Sequence, residues 1–570
     1  MTEAQSVTHE VVARLGATVS DALVEVLTSR GCTRAFGILG GATVPFFSAL
    51  VRGELAPIHM RHEAGAVFAA MEHELAGGGP GLVFTTTGPG LTNALTGIAA
   101  ARWEGARVVV VSASTGSDRR GRWAFQETDE QVMPNVGLFT KSGWFDYAIA
   151  MQSPDELPVV AARLTEGLSR ANGFVAHVAL PLSVQSADVG PTPPPSTSRT
   201  TAPAPAPETI DACIDRLCAG PVCVWLGYGA RRAAPAVRRL VDELDAVVMC
   251  SPRAKGIFPE SDPRFIGVTG FGGHEGVFED LARVRPQTTL VLGSRLGEFT
   301  SFWDARLVGP RGLVHVDLDP TIFGAAYPRV DTLGVHAEVG GFIDALVARL
   351  PRHGVRALRK RSPSHPSTRQ ASGARGVRPT ELMASLQRVI VEGSEAPILS
   401  EAGNAFLWTT HSLRFDDPGR YRTSMGFGSM GHAAAGVVGL ALARRGPAVA
   451  VVGDGSLLMT NEINTAVSLG VPAIWVVLND GRYGLVADGM SGLGHEPYGL
   501  AFEPVDFEAL ASALGAVGTT VSSADELDAA LARALASGRP YVVDVRVDTS
   551  ELAPFGARNE SLSNQAKEAG

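Results

Sequence analysis

The sequence predicts an α/β protein made of three consecutive open, mainly parallel-sheet domains. Three observations carry that expectation. Short valine-, isoleucine- and leucine-rich runs recur along the chain, helical stretches separate them, and two stretches poor in large hydrophobes divide the series into thirds. Continuous apolar runs flanked by helices mark parallel strands covered on both faces, because helices must pack on each side of such a sheet. The length agrees, since 570 residues at roughly 150 per domain make about three or four domains.

The elements follow in order. The first domain is expected over 12–185, where GLVFTTTG and ARVVVVSAS read as buried strands and TNALTGIAAARWE as the helix between them. Residues 186–208 read as a linker, rich in Pro, Ser and Thr and without an apolar period. The central domain, 209–351, carries the strands VCVWLGYG, AVVMCSPR, TTLVLGSR and GLVHVDLD. A second linker at 352–378 is basic and nearly free of large hydrophobes. The third domain, 379–555, repeats the pattern with APILSEAG, PAVAVVGDG, PAIWVVLNDG and RPYVVDVRV, and 556–570 is a tail. Binding is expected at the carboxyl ends of the strands, where open α/β sheets leave a crevice.

Composition narrows the function classes. Hydrophobic residues make up 45% and charged residues 19%, a globular profile. A net charge of -9 argues against general nucleic-acid affinity, which needs a basic surface. Cys32, Cys213, Cys218, Cys223 and Cys250 form neither a disulfide framework nor a zinc spacing, and read as small buried hydrophobes in a reducing compartment. The opening MTEAQSVTHEVVARLG lacks the apolar core of a signal peptide, and no apolar run reaches the ~20 residues of a membrane span. No membrane partner is expected, and the cytoplasm is the expected compartment.

Chemistry concentrates in the third domain. Strand PAVAVV enters Gly453-Asp454-Gly455-Ser456, the stretch LLMTNEINTAVSLG reads as a helix, and strand PAIWVVL enters Asn479-Asp480-Gly481. A strand-helix-strand crossover sets the two strands parallel with both loops at one sheet edge. Asp454 and Asp480 are thus placed to meet around one small object. Glycines admit backbone N–H groups close to it, and a helix start near Ser456 favours an anion. Two oxygen side chains beside an anion suit magnesium, which takes octahedral oxygen ligands and commonly keeps phosphate oxygens. Taken alone, Gly-Asp-Gly after a strand is also a plain turn; the second loop is what favours a magnesium-diphosphate cradle.

Gly-Asp-Gly-Ser, a helix and then Asn-Asp resembles the cofactor signature of thiamine-diphosphate-dependent enzymes of the acetolactate synthase, pyruvate oxidase and 2-hydroxyacyl lyase group, over about residues 12–555. The resemblance implies pyrimidine-binding, central and diphosphate-binding domains, thiamine diphosphate and Mg2+ as cofactors, and metal ligation by Asp454, Asp480 and the backbone carbonyl of Arg482. It implies a catalytic role for Glu63 in Met60-Arg61-His62-Glu63-Ala64, protonating the aminopyrimidine ring; read alone, Glu63 suits a helix start. Phe36-Gly37-Ile38-Leu39-Gly40-Gly41 resembles the family's FGxPGG loop with Leu39 for proline, and Thr87-Gly88-Pro89-Gly90-Leu91-Thr92-Asn93 its pyrimidine turn. Ala124-Phe125-Gln126-Glu127 and Thr140-Lys141 resemble elements beside the substrate, although Gln126 also suits a loop tie and Lys141 a solvated charge. Gly426-Phe427-Gly428-Ser429-Met430-Gly431 resembles the segment whose methionine bends the cofactor, and Gly403-Asn404 lies where the family touches diphosphate. Met430 equally suits core filling, and His432 either titrates near the reaction centre or packs.

The implied reaction decarboxylates a 2-oxo acid and joins the resulting enamine to a second carbonyl. Simple decarboxylation, 2-hydroxyacyl C–C cleavage and a silent homologue are the alternatives. Besides Leu39, the chain departs from the family at three places. Asp480 stands where asparagine is usual, Gly489 where acetolactate synthases carry a tryptophan, and Phe299 where they carry a carboxylate-binding arginine. The last two predict an acceptor larger and more apolar than pyruvate. Leu226-Gly227-Tyr228-Gly229, Arg295 and His315-Val316-Asp317-Leu318-Asp319 resemble places where relatives bind FAD or ADP, and many relatives bind neither, so FAD stays open. Because the family's cofactor lies between two subunits, a homodimer is the implied minimum and a homotetramer is expected.

Overall fold

The computed structural model describes residues 17–128, 143–189, 203–350 and 376–555, with 558 and 561. The chain divides into two compact units, 1–200 with 438–444 and 201–437 with 445–570.

The first unit holds a six-stranded parallel sheet of β1 (Arg34–Gly37), β2 (Ala56–His59), β3 (Gly81–Thr85), β4 (Arg107–Ser114), β5 (Tyr147–Ala150) and β6 (Phe174–Pro181), in the order β2-β1-β3-β4-β6-β5. β3 and β6 are buried along their whole length, as expected of inner strands covered on both faces. β6 is less legible because His177 interrupts its apolar run; the imidazole is satisfied by Ser112 Oγ of β4 at 2.8 Å. Helix Val19–Ser29 opens with a capping box, Thr18 and Asp21 each bonding the other's backbone N–H.

The second unit holds two such sheets. One comprises β7 (Val222–Leu226), β8 (Val247–Cys250), β9 (Phe265–Val268), β10 (Thr288–Leu292), β11 (Leu313–Asp317) and β12 (Thr332–His336), ordered β12-β11-β10-β7-β8-β9. The other comprises β13 (Ile398–Ser400), β14 (Tyr421–Thr423), β15 (Ala448–Gly453), β16 (Ala473–Asn479), β17 (Val517–Val521) and β18 (Tyr541–Arg546), ordered β14-β13-β15-β16-β18-β17. The first and third sheets share one winding. The middle sheet instead has the doubly wound order of dinucleotide-binding folds, its direction reversing between β7 and β10.

The apolar runs named from the sequence all fall on strands. The short edge strands β2 and β12 carried no such signal because one face of each is half-exposed. Four cysteines are buried as expected, whereas Cys218 is exposed. Among the described residues no helix is long and apolar enough to cross a membrane.

Candidate functional site

β15 and β16 pair in parallel as neighbours, Gly453 opposite Leu478, so both loops leave the same sheet edge. β15 runs directly into a one-turn helix, Asp454–Leu457, in which Ser456 is buried. The helix expected over LLMTNEINTAVSLG is therefore two, the second being Glu462–Leu469, and the first starts at Asp454 rather than near Ser456. The break falls at Thr460 and Asn461, and Asn461 precedes the second helix without a side-chain capping bond.

Asp454, 2% exposed, ties the two loops together. Its Oδ1 accepts the N–H of Gly455 at 2.7 Å, and its Oδ2 accepts the N–H of Asp480 at 3.2 Å and of Gly481 at 2.7 Å. Desolvation first, and the charge of Asp454 second, push the Asp480 carboxyl up to about 6. Asp454 is raised too, by desolvation above all. A buried carboxylate that disfavours the charge of a half-buried one beside it suits a shared cation, which would reverse the local electrostatics. Among the described residues no three His, Cys, Asp or Glu side chains cluster as a metal centre, so a cation at this edge would need backbone or phosphate oxygens beside these two carboxylates.

Asn479 does not join its neighbour. Its Nδ2 donates to Asp544 Oδ1 on β18 at 2.8 Å and to the Val505 carbonyl at 3.0 Å, which anchors the loop from behind. The chain then makes an inverse γ-turn at Tyr483 (φ -76°, ψ 72°), with the Arg482 carbonyl accepting from Gly484 N–H at 2.9 Å. Backbone bonds from Tyr483 to Leu500 and from Phe502 to Gly481 pin this turn.

Other expected residues gather at this edge. Gly403 has φ +104°, a conformation that favours glycine, and starts the helix Asn404–Ser412. Asn404 Nδ2 donates to Asp488 Oδ2 at 3.4 Å, while its buried Oδ1 has no partner among the described residues. A Cβ on Gly484 would stand 2.5 Å from Asp480 Oδ2 and 2.8 Å from Asn404 Nδ2, so a side chain there would drive the two apart. The Met430 methyl and the Tyr483 ring both border Gly455, with Cβ-to-atom approaches of 3.6 Å and 2.8 Å. Gly428 lies in the loop leading to Met430 with φ +71°. His432 is buried at the start of helix His432–Arg444, beside a residue the sequence did not single out. That residue is Glu401, fully buried, whose Oε2 accepts the N–H of Ala433 at 3.0 Å and of Ala434 at 3.3 Å. Desolvation raises its carboxyl, and the nearby His432 opposes the rise.

The first unit has its own constellation at its strand ends. Glu63, 6% exposed, is the first residue of helix Glu63–Leu75, and its Oε2 accepts from Asn93 Nδ2 at 3.1 Å. Gly88 begins helix Pro89–Glu104 with φ +53° and ψ -104°, turning the chain so that Gly90 lies against Glu63 Oε1. Gln126 Oε1 accepts from the hydroxyls of Thr86 at 3.3 Å and Thr87 at 3.1 Å, and Gly40 packs on Thr86. These bonds hold the Gln126 side chain at the edge of the Glu63 turn. Thr140 and Lys141 lie outside the described residues.

In the middle sheet, Gly227 and Gly229 of the β7 loop lie directly on Gly293 after β10, with Gly229 N–H donating to the Gly293 carbonyl at 2.9 Å. These glycines serve contact between loops at the reversal point. Tyr228 stacks beneath Arg253 at 4.0 Å and Arg231 at 4.2 Å, and Arg422 Nη1 donates to its hydroxyl at 2.6 Å. Phe299 packs on Phe271 with centroids 5.1 Å apart, and Phe271 on Phe406 at 5.8 Å.

Comparison with known families matches all three parts of the chain. The N-terminal thiamine pyrophosphate-binding domain of the thiamine pyrophosphate enzymes matches 17–133, their central domain 219–346, and their C-terminal thiamine pyrophosphate-binding domain 401–545. The chain belongs to the thiamine pyrophosphate enzymes. Within that family it is similar to the acetolactate synthase isozyme 2 large subunit of Escherichia coli, 26% identical over 95% of this chain and 98% of the relative. It is also similar to a probable 2-ketoarginine decarboxylase of Pseudomonas aeruginosa, 27% identical over 93% and 94%. Among solved structures, the thiamine diphosphate-dependent 4-hydroxybenzoylformate decarboxylase of Rhodococcus jostii RHA1 shares the fold, with a TM-score of 0.81 at 21% identity over 93% of this chain and 99% of that one. This thiamine pyrophosphate enzyme is thus of the acetolactate synthase group, and both its cofactor-binding domains carry a built constellation at the strand ends.

Proposed function

We propose that this enzyme uses Mg2+ and thiamine diphosphate to decarboxylate a 2-oxo acid and to join the retained fragment to a second carbonyl compound. The observation that carries the reading is the Asp454 clamp, which brings the raised Asp480 carboxyl to the same strand edge. The donor set fits both groups: two carboxylates that favour a cation, an Asn404 Oδ1 without a partner among the described residues, and the space kept by Gly484.

Asp454, Asp480 and the Arg482 carbonyl are assigned to the metal. Gly403, Asn404, Gly453, Gly455 and Ser456 are assigned to the diphosphate, and Gly40, Gly88, Asn93, Gly428 and Met430 to the walls around the rings. When bound, thiamine diphosphate supplies a nucleophilic carbon and an electron sink. Glu63 holds a proton at its carboxyl for the aminopyrimidine nitrogen, and Asn93 orients that carboxyl. Gln126, Lys141 and His432 are assigned to the substrate side. Loops that bury Glu63 and Asp454 keep water from both carboxyls.

A larger acceptor finds support at Gly489, where a Cβ would meet nothing within 4 Å. Phe299 lends less, because its ring is engaged with Phe271. The likeness to a probable 2-ketoarginine decarboxylase favours a second reading, decarboxylation without ligation, and 2-hydroxyacyl cleavage is its close variant. CO2 release from a panel of 2-oxo acids, with and without aldehydes and with product identification, tests all three. Ligated product is expected with aldehyde present; free aldehyde as the sole product selects the second reading, and acetolactate formed from pyruvate at an ordinary synthase rate sinks the larger acceptor. Flavin absorbance in the purified protein decides FAD. Sedimentation is expected to show a homotetramer, with the homodimer as the smallest active form.

A further inference from the structure

We infer that Arg482 is a positioning residue whose guanidinium compensates the charge of Asp480, so that a second carboxylate can serve beside an anionic cofactor. The inference rests on the magnesium-diphosphate reading of this edge. Arg482 Nε approaches Asp480 Oδ2 at 3.3 Å, and its Nη2 approaches Asp488 Oδ1 at 3.1 Å. Asp488 in turn receives Asn404 Nδ2 at 3.4 Å. The order Asp480–Arg482–Asp488–Asn404 thus runs from one assigned metal ligand to one assigned diphosphate contact. Its two carboxylate side chains are 13% and 7% exposed, so solvent screens them poorly.

The chemistry requires such a device. One carboxylate, Asp454, already faces the cation, and a second attracts Mg2+ while repelling a diphosphate. A neutral amide at position 480 would supply an oxygen without that repulsion. Arg482 removes much of it at the source, and Asp488 keeps the guanidinium turned toward Asp480 rather than toward the cofactor's phosphates. A planar fork with several donors can hold two carboxylates at once.

The test is calorimetric titration of the full-length protein with thiamine diphosphate at saturating Mg2+, and with Mg2+ alone. Arg482→Gln is expected to weaken thiamine diphosphate binding about tenfold while leaving Mg2+ binding unchanged or tighter, because the site becomes more negative. Arg482→Lys keeps the charge but not the fork that spans both carboxylates, so it should recover part of the loss and bind more tightly than Arg482→Gln. In the Asp480→Asn background, Arg482→Gln should cost almost nothing, since the charge it answers is gone. Arg482→Met, which keeps the apolar stem, repeats the measurement if the glutamine variant does not fold. An equal loss in both backgrounds, a parallel tenfold loss of Mg2+ binding, or no loss at all overturns the inference. If the parent protein fails to bind Mg2+ and thiamine diphosphate, the underlying reading falls first, and the variants are not needed to show it.

Discussion

At the scale of single residues, Glu63 carries the sharpest prediction. Its carboxyl accepts from Asn93 and the residue starts a helix, so its structural reading is realised, and the proposed proton transfer is what the substitution tests. Glu63→Gln keeps the shape and the hydrogen bond to Asn93 but cannot pass a proton. The expected outcome is a loss of kcat of about a hundredfold or more with cofactor affinity nearly unchanged, read from CO2 release and calorimetry. Asp454→Ala should behave differently. It removes three backbone anchors along with the carboxylate, so Mg2+-dependent cofactor binding itself should vanish. Glu63, Asp454 and Asp480 were legible because short motifs surround them. Asp488 and Glu401 were not, since their importance comes from partners reached only in three dimensions.

At the scale of elements, the helix His432–Arg444 shows how a buried carboxylate organises a segment. Glu401, at the end of β13, accepts the N–H groups of the helix's first turn, which have no partner within the helix. Trp475 Nε1 of β16 donates to the Ala434 carbonyl at 2.8 Å and fixes the same turn from the sheet. Glu401→Ala should therefore cost about 1–2 kcal/mol in denaturant unfolding, and Glu401→Gln, which retains an acceptor oxygen, clearly less. The helix after Asp454 is the element the sequence misjudged. Its apolar residues fit one helical face through 457–470, yet Leu458 and Met459 are half-exposed and the helix restarts at Glu462. Periodicity reports which residues are apolar, and it does not report where helical hydrogen bonding stops and restarts.

At the scale of the molecule, the second unit joins its two sheets through buried polar groups. Lys255 and Glu260, 0% and 1% exposed, pair at 2.8 Å, and Lys255 Nζ also donates to the Thr410 carbonyl at 3.1 Å. Lys255→Met should destabilise this unit by about 3–5 kcal/mol because Glu260 is left buried and unpaired; adding Glu260→Leu should recover most of it in chemical denaturation. Next to this pair, His274 Nε2 contacts the His411 carbonyl at 2.9 Å and His411 Nδ1 the Gly273 carbonyl at 3.1 Å. Desolvation, then Lys255 and His411, hold His274 down at about 3; His411 is lowered as well, by desolvation first. A folded value below the unfolded one means that the unfolded chain binds protons first as pH falls. The contribution is thus complete above about pH 6.5 and is lost progressively toward pH 3, at roughly 1.4 kcal/mol per pH unit for His274. The denaturation midpoint should fall between pH 7.5 and 5, and His274→Asn should flatten that dependence.

The sequence by itself determined the α/β class, the strand runs and the pairing of two acidic loops at one sheet edge. These follow from local rules: a buried parallel strand needs a continuous apolar run, and a crossover of that length must return in parallel. Only the tertiary structure decided which polar groups meet. It turned Asn479 inward to Asp544, brought Asn404 to Asp488 across 84 positions, and set Phe299 against Phe271. A side chain's polar partner depends on loop geometry and on the register of distant strands, and neither leaves a period in the sequence.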